Sequence, residues 1–481
     1  MSSGGRLVVV SNRLPITTEI IDGRTQLKHS GGGLVSALRP ILNESGGSWI
    51  GWPGRDYDAR DSAVLNNWSS SQNFSLVPVA LSVTELDRFY RGYSNEIIWP
   101  LFHGLPSLCS FEPSFWEAYC NANAKFAAAV QQVSGPDDFI WVHDYHLMML
   151  AHVLRSRGHK DCLAYFHHIP FPAPDTFEKL PWRSQVLRAL VRFNIIGFQT
   201  PRDRNNFVAC LRRCLPDVHV SRTGDKLVVR AGHESATVGT YPISVDYKEF
   251  AAEAASDSVA EECEAIRAVL GDMRIVLSVD RLDYTKGIPE RLAAFEELLR
   301  RNPNLRRHIS LVQIVVPSRE EILEYAQLKL RIEMLVNRIN DKYGVADWTP
   351  VRYLYRAVSR SELIAFYLLA DVALVTPLKD GMNLVAKEFC ASRIDNQGVL
   401  ILSEFAGAAD ELRRGAILVN PYDIEDVSSS LVHALNLDLL EQRSRMRALR
   451  AYIRANDVFR WSRSFAAEAL PFYAPASLCA S

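Results

Sequence analysis

Two doubly wound α/β domains are predicted for this chain of 481 residues by three observations. Its length exceeds what one core of ordinary size organises. Continuous apolar runs of strand length alternate with helical patterns, as in parallel sheets covered on both faces. The alternation occurs in two sets, one in each half of the chain.

Taken in order, the first half offers the strands "RLVVVS", "FSLVPVAL", "DFIWV", "CLAYFHHI" and "NIIGFQT". Between the first two, "EIIDGRTQLK" reads as a hairpin turning at Asp22-Gly23, and "DVHVSRTGDKLVVRAG" as another turning at Gly224-Asp225. The halves join near "GTYPISVDYKEF", which predicts domains over 1–245 and 246–455. Residues 251–270 read as the first helix of the second domain. Its strands follow as "MRIVLSV", "ISLVQIVV", "VRYLY", "DVALVTP", "GVLILS" and "AILVNP", with helices such as "PERLAAFEELLRR" and "SRSELIAFYLLA" between them. The end of the chain, 456–481, opens on an aromatic-rich helix whose spacing predicts packing rather than a site, against the first domain.

Composition narrows the function classes. A net charge of −1 with no basic block argues against a dedicated nucleic-acid binder. No apolar run approaches the roughly 20 residues that span a bilayer, and the start of the chain lacks a signal-peptide pattern, so no membrane partner and a cytoplasmic location are expected. The eight cysteines are scattered without a CxxC pair; Cys210 and Cys214, four apart on a helical stretch, read as small core residues.

Doubly wound sheets bind ligands beyond the carboxyl ends of their strands, so the residues there are the candidates. Strand one is followed by Ser11, Asn12 and Arg13 rather than GxGxxG, which counts against a dinucleotide oxidoreductase. Gly31, Gly32 and Gly33 open a helix whose first amides suit an anion, although glycine there is also ordinary turn chemistry. "FIWV" ends in His143, Asp144, Tyr145 and His146, and "AYF" in His167 and His168. No HExxH or Cys/His framework makes these a metal site, and Asp56–Asp58 reads as an exposed loop rather than a metal-binding DxD. In the second half Arg281 and Lys286 share one strand-end loop and Arg319 ends the next strand. With Arg13, these cations predict a polyanionic ligand in an interdomain cleft. In "TPLKDGMNLVAKEF", Gly381 and Asn383 serve a strand-to-helix turn, and Asp380 and Glu388 stand eight positions apart.

Those segments, with "SGGGL", "WIGWPG", "NEIIWPLFH", "WVHDYHL", "HIPFP", "IIGFQT", "RLDYTKGIPER", "PSR" and "SEFAGAADEL", occur in the order found in the trehalose-6-phosphate synthase family. The chain resembles that family, retaining glycosyltransferase family 20, over nearly its whole length. The resemblance implies the GT-B architecture: two facing Rossmann-like domains with the active site in the cleft between them, completed when they close. It implies a donor, typically UDP-glucose, whose diphosphate meets Arg281 and Lys286 near the amides of Gly32 and Gly33. His168 is implied to touch the transferred glucose. Asp380, with the stretch Gly381, Met382, Asn383, Leu384 and Val385, is implied to hold that glucose, and Glu388 the ribose. The acceptor, glucose 6-phosphate, is implied to have its phosphate on Arg13 and Arg319 with Tyr90 and Trp99; Trp49 lines the acceptor side, and Asp144 lies where the sugars meet. Ser244, Asn194 and Val316-Pro317 depart from the family pattern at positions with no implied ligand contact.

The expected product is α,α-trehalose 6-phosphate, made with retention by front-face displacement, with no cofactor and no metal. The catalytic group is then Asp144, His168, Arg281 and Lys286. A sister synthase taking glycerol 3-phosphate or a cyclitol phosphate stays open, as do the nucleotide base and assembly into a homo-oligomer. A catalytically silent sugar-phosphate sensor is disfavoured because Arg281, Lys286, Asp380 and Glu388 are all present, and a fused phosphatase because no DxDxT-like motif occurs.

Overall fold

The computed structural model describes residues 5–21, 24–29, 32–55, 59–224 and 226–469. Asp22-Gly23, Gly31, Asp56–Asp58, Asp225 and everything after 469 lie outside the described residues. The chain divides into two compact units, Met1–Ile243 with Phe459–Ser481, and Ser244–Val458.

The first unit is built on β1 (Leu7–Arg13), β4 (Gly47–Trp52), β5 (Phe74–Pro78), β6 (Phe139–His143), β7 (Leu163–His167) and β8 (Ile195–Phe198), with β2 (Ile16–Ile21) and β3 (Arg24–His29) as a separate antiparallel pair. β9 (Val218–Thr223), β10 (Lys226–Ala231) and β11 (Glu234–Thr240) complete a nine-stranded sheet in the order β5-β4-β1-β6-β7-β8-β11-β10-β9. The central strands are apolar and buried along their length, as parallel strands covered on both faces must be. β4 and β11 were not among the predicted strands. "GSWIGW" carries two glycines that weaken a strand signal, and β11 supplies the parallel partner through which the predicted hairpin β9–β10 extends the sheet. Asn194, one of the departures from the family pattern, sits before β8 and accepts from the Leu163 amide and from Arg155, tying β7 to β8.

The second unit has a six-stranded parallel sheet of β12 (Arg274–Arg281), β13 (Ile309–Val316), β14 (Val351–Tyr355), β15 (Val372–Val375), β16 (Val399–Ser403) and β17 (Ile417–Val419). Its order, β14-β13-β12-β15-β16-β17, reverses direction between β12 and β15. That is the doubly wound arrangement, and its crevice opens at the carboxyl ends of those two strands. In the first unit the corresponding reversal falls between β1 and β6. The single helix expected over 251–270 is two, Tyr247–Glu253 and Asp257–Leu270. The Ser256 hydroxyl accepts from the Val259 amide and restarts the second, a capping preference that competed with continuation.

The C-terminal helix Val458–Ala466 runs into a short 3₁₀ turn, Ala467–Ala469. Its Trp461 and Phe465 lie 5.0 and 4.9 Å, ring to ring, from Trp141 on β6. Among the described residues no helix is long and apolar enough to cross a membrane.

Candidate active site

In the first unit the reversal point gathers two groups of side chains. β1 carries one residue more than β4 near its end: Val10 pairs with Ile50, but Arg13 pairs with Trp52. This bulge turns the Arg13 guanidinium to lie over the Trp52 ring at 5.0 Å and the Tyr90 ring at 5.2 Å. Tyr90 stands on a twelve-residue π-helix, Asp87–Ile98, and stacks on His146 at 5.8 Å. Asn95 reaches back one π turn to the Tyr90 carbonyl at 2.6 Å and accepts from the Tyr145 hydroxyl at 3.2 Å, holding the wide helix where Tyr90 meets Arg13. Trp99 is buried, 4.3 Å from the His103 ring and 5.9 Å from that of Tyr145.

Trp49 requires a correction. It was expected to line the acceptor side, yet it is fully buried, its indole N–H donated to Ser11 at 2.8 Å. The two tryptophans of "WIGW" have opposite parity on β4, so one faces the core; Trp52, at the strand end, is the one beside Arg13.

The second group follows β6, β7 and β8. Asp144 adopts φ 72°, unusual for a side-chain-bearing residue, and its carboxylate accepts from the His168 amide at 3.2 Å. The His168 ring meets His143 at 3.0 Å through Nε2 and Gln199 at 3.2 Å through Nδ1. Burial, with His167 adding to it, pushes His168 down to about 3, and burial beside His168 likewise holds His143 well below the ordinary histidine value. Gln199 directly follows β8, where the strand-end rule pointed, but its partner could not be read from the sequence. Gly32, φ 133°, precedes the helix Gly33–Ser45 and offers no side-chain cap, leaving its first-turn amides to another acceptor.

In the second unit β12 ends at Arg281 and turns through Asp283, Tyr284, Thr285 and Lys286. Asp283 is buried and caps this turn, accepting from the Thr285 amide and hydroxyl at 3.0 and 2.9 Å. Burial alone would raise its carboxyl, but Arg319, Arg281 and Lys286, with the Thr285 amide, outweigh it and hold the group below its ordinary value. Asp283 is thus the anion around which the three predicted cations are arranged, a role unnoticed in "RLDYTKG". Arg319, φ 52°, donates to the Tyr325 hydroxyl at 2.7 Å and lies 3.9 Å from Asp283.

Lys286 pairs directly with Asp380 at 2.6 Å. Asp380 also accepts from Asn383, and its loop is pinned to the one after β16 by Asp380 N–H to Phe405, Gly407 N–H to Asp380 and Ala408 N–H to Met382, at 3.2, 3.1 and 2.8 Å. Gly381 and Met382 complete that turn. Asn383, φ 80°, caps the helix Leu384–Ser392 by accepting from the Ala386 amide, which leaves the Leu384 and Val385 amides at the helix start. Glu388 on that helix accepts from the Tyr367 hydroxyl at 2.9 Å; burial raises its carboxyl, partly offset by Tyr367 and Arg360. Beneath both loops Arg291, wholly buried, joins Asp280 at 2.5 Å, Thr376 at 3.0 Å and the Lys286 carbonyl at 3.0 Å. One guanidinium therefore fixes the ends of β12 and β15 together.

Among the described residues no group of three or more His, Cys, Asp or Glu side chains is placed to hold a metal ion. The residues present suit an anionic ligand on cations, with carboxylates for hydroxyls.

Comparison with known proteins gives the same direction. The model of glycosyltransferase family 20 matches residues 5–470. The trehalose-6-phosphate synthase of Mycolicibacterium gilvum is 41% identical over 473 residues, 96% of this chain and 93% of that protein. Among solved structures, an α,α-trehalose-phosphate synthase (UDP-forming) from Burkholderia xenovorans in complex with glucose-6-phosphate superposes with TM-score 0.88 at 35% identity, covering 97% of this chain and 100% of that one. A structure from E. coli bound with UDP-2-fluoro glucose gives TM-score 0.87 at 36% identity, covering 98% and 100%.

Proposed function

The chain belongs to glycosyltransferase family 20, among the trehalose-6-phosphate synthases, and from that premise we propose the following reaction for it. Glucose moves from a nucleotide-glucose, UDP-glucose first, to glucose 6-phosphate, giving α,α-trehalose 6-phosphate and UDP. The observation that carries this reading is the cation loop at the end of β12, with Arg281 and Lys286 organised on the buried Asp283 and Lys286 facing Asp380. The Burkholderia and E. coli relatives, bound with glucose-6-phosphate and UDP-2-fluoro glucose, support the two substrates.

Configuration is retained in the proposed step. The bond from the glucose anomeric carbon to the diphosphate oxygen breaks, and the acceptor's anomeric oxygen bonds to that carbon on the same face. The acceptor proton passes to the leaving phosphate oxygen. Arg281 and Lys286 stabilise the charge developing on the diphosphate, which makes a metal unnecessary. Asp380 and the amides of Gly381, Met382, Asn383, Leu384 and Val385 hold the donor glucose and diphosphate, with Gly32 and Gly33, and Glu388 holds the ribose. Arg13 on Trp52 and Tyr90, with Arg319 and Trp99, receives the acceptor phosphate, and Asp144 and His168 stand at the reacting sugar.

The deciding experiment is a product assay with glucose 6-phosphate against UDP-, ADP- and GDP-glucose, repeated with glycerol 3-phosphate and a cyclitol phosphate as acceptors. A phosphorylated non-reducing disaccharide is expected with glucose 6-phosphate alone. Its absence with every donor would overturn the proposal. Turnover should persist in EDTA; its loss there would refute the metal-free step.

A further inference from the structure

The hydrogen bonds behind His168 run in one direction only, and that direction is set by a backbone amide. The Ile243 N–H, which can only donate, meets Gln199 Oε1 at 2.9 Å. The other end of that carboxamide is therefore the NH₂ group, and it donates to His168 Nδ1 at 3.2 Å. A ring nitrogen that accepts carries no proton, so the His168 proton is on Nε2, where it is donated to His143 Nδ1 at 3.0 Å. His143 in turn carries its proton on Nε2, a buried atom with no partner among the described residues.

We infer that Gln199 is a positioning residue for the transfer site: it locks His168 as the neutral ring with its proton on Nε2, so that His168 can orient a sugar but cannot serve as a proton donor or as a cation there. Protonating His168 would set an Nδ1–H against the Gln199 NH₂. Turning the carboxamide over would only move the conflict to the Ile243 N–H. The titratable groups facing the ring are His143 on β6, His167 beside it on β7, and Asp144, which accepts from its backbone. Phe166 at 4.7 Å and Trp461 at 6.4 Å, ring to ring, flank the imidazole, which stays partly exposed. Both ring nitrogens are thus engaged within the first unit, which changes the expected contact with the transferred glucose. A hydroxyl must either displace the His143 bond or use the ring's edge and the His168 backbone. The link to sugar transfer rests on the proposed function; the ring state does not.

The test is nitrogen NMR on the full chain labelled with ¹⁵N in its histidine rings, without substrates, with His143 and His168 assigned through His143→Asn and His168→Asn. His168 should show a protonated Nε2 and a bare Nδ1 from about pH 5.5 to 8, the range in which an ordinary histidine titrates. A protonated Nδ1, or an imidazolium within that range, would overturn the assignment. Gln199→Glu, close to isosteric, offers an acceptor to both neighbours and should move the proton to Nδ1 and make the ring titrate. An unchanged ring in this variant would remove Gln199 from the role. Where the ring does change, kcat is expected to fall on the order of 10- to 100-fold with KM for both sugars nearly constant. Normal kcat beside an altered ring would refute the positioning role. Failure of the wild-type chain to make the disaccharide phosphate would strike the proposed function and leave the wild-type ring assignment standing.

Discussion

Lys286 and Asp380 hold each other at 2.6 Å, so a diphosphate arriving at the second unit competes with a carboxylate already in place. Under the proposed function, a nucleotide sugar offers two charged groups to Arg281 and Lys286, and hydroxyls to Asp380, satisfying all three at once. A lone phosphate does not. Replacing Arg281 or Lys286 by alanine is expected to lower kcat on the order of 100-fold in steady-state kinetics. Near-normal turnover in both variants would sink their role. Arg319→Ala tests a different assignment: it should raise KM for glucose 6-phosphate much more than KM for the nucleotide sugar. Glu388 supplies a pH test. Its folded carboxyl is raised by burial, so the unfolded chain loses that proton first, and stability falls as pH climbs from the ordinary glutamate range through the raised value. Glu388→Gln cannot ionise and should lack this fall. Melting temperatures of the two proteins should therefore diverge in the variant's favour as pH climbs above the ordinary glutamate range, while nucleotide-sugar binding weakens.

Two short turns decide where these side chains point. Gly287, φ 66°, ends the Lys286 turn and starts the helix Ile288–Arg301; a Cβ there would stand 2.5 Å from the Thr376 carbonyl oxygen. Gly287→Ala must push the loops carrying Lys286 and Asp380 apart, and is expected to cost activity on the order of 10-fold or more, read as kcat/KM for the donor. Asn383 both caps its helix and holds Asp380. Asn383→Ala should lose about 1 kcal/mol of unfolding free energy in a denaturant titration, together with donor affinity. The turn chemistry of "KDGMN" was legible because glycine, asparagine and aspartate have few uses between a strand and a helix. The π-helix under Tyr90 was not legible, since its width depends on Asn95 bonding to Tyr90 and Tyr145 in the folded state. Nor was the bulge in β1, which pairs Arg13 with Trp52 and turned the expectation for Trp49 into a correction.

At the scale of the molecule, the helix Val458–Ala466 packs into the core of the first unit. Phe465 is fully buried, stacked on Trp141 and edge-on to Phe166 and Tyr241. Gly197 on β8 leaves it room: a Cβ there would meet the Phe465 ring at 2.7 Å. Phe465→Ala is expected to cost about 3–5 kcal/mol in the unfolding of that unit, followed through tryptophan fluorescence. A change under about 1 kcal/mol would show that the C-terminal helix is dispensable to the core. The same helix sets Trp461 beside His143 and His168, so the variant should also disturb their ring signals.

By itself the sequence determined the two doubly wound sheets, the strand-end positions of Arg13, Asp144, His168, Arg281 and Asp380, and the family. Apolar runs, turn residues and motif order are local properties of the chain, and they survive without coordinates. Only the tertiary structure decided that Trp52 rather than Trp49 meets Arg13, that Asp283 gathers the cations, that Arg291 ties β12 to β15, and that Gln199 directs the proton on His168. Each of these depends on partners from 2 to 85 positions apart, and hydrogen bonds and ion pairs choose among such partners by distance and burial, which the order of residues does not contain.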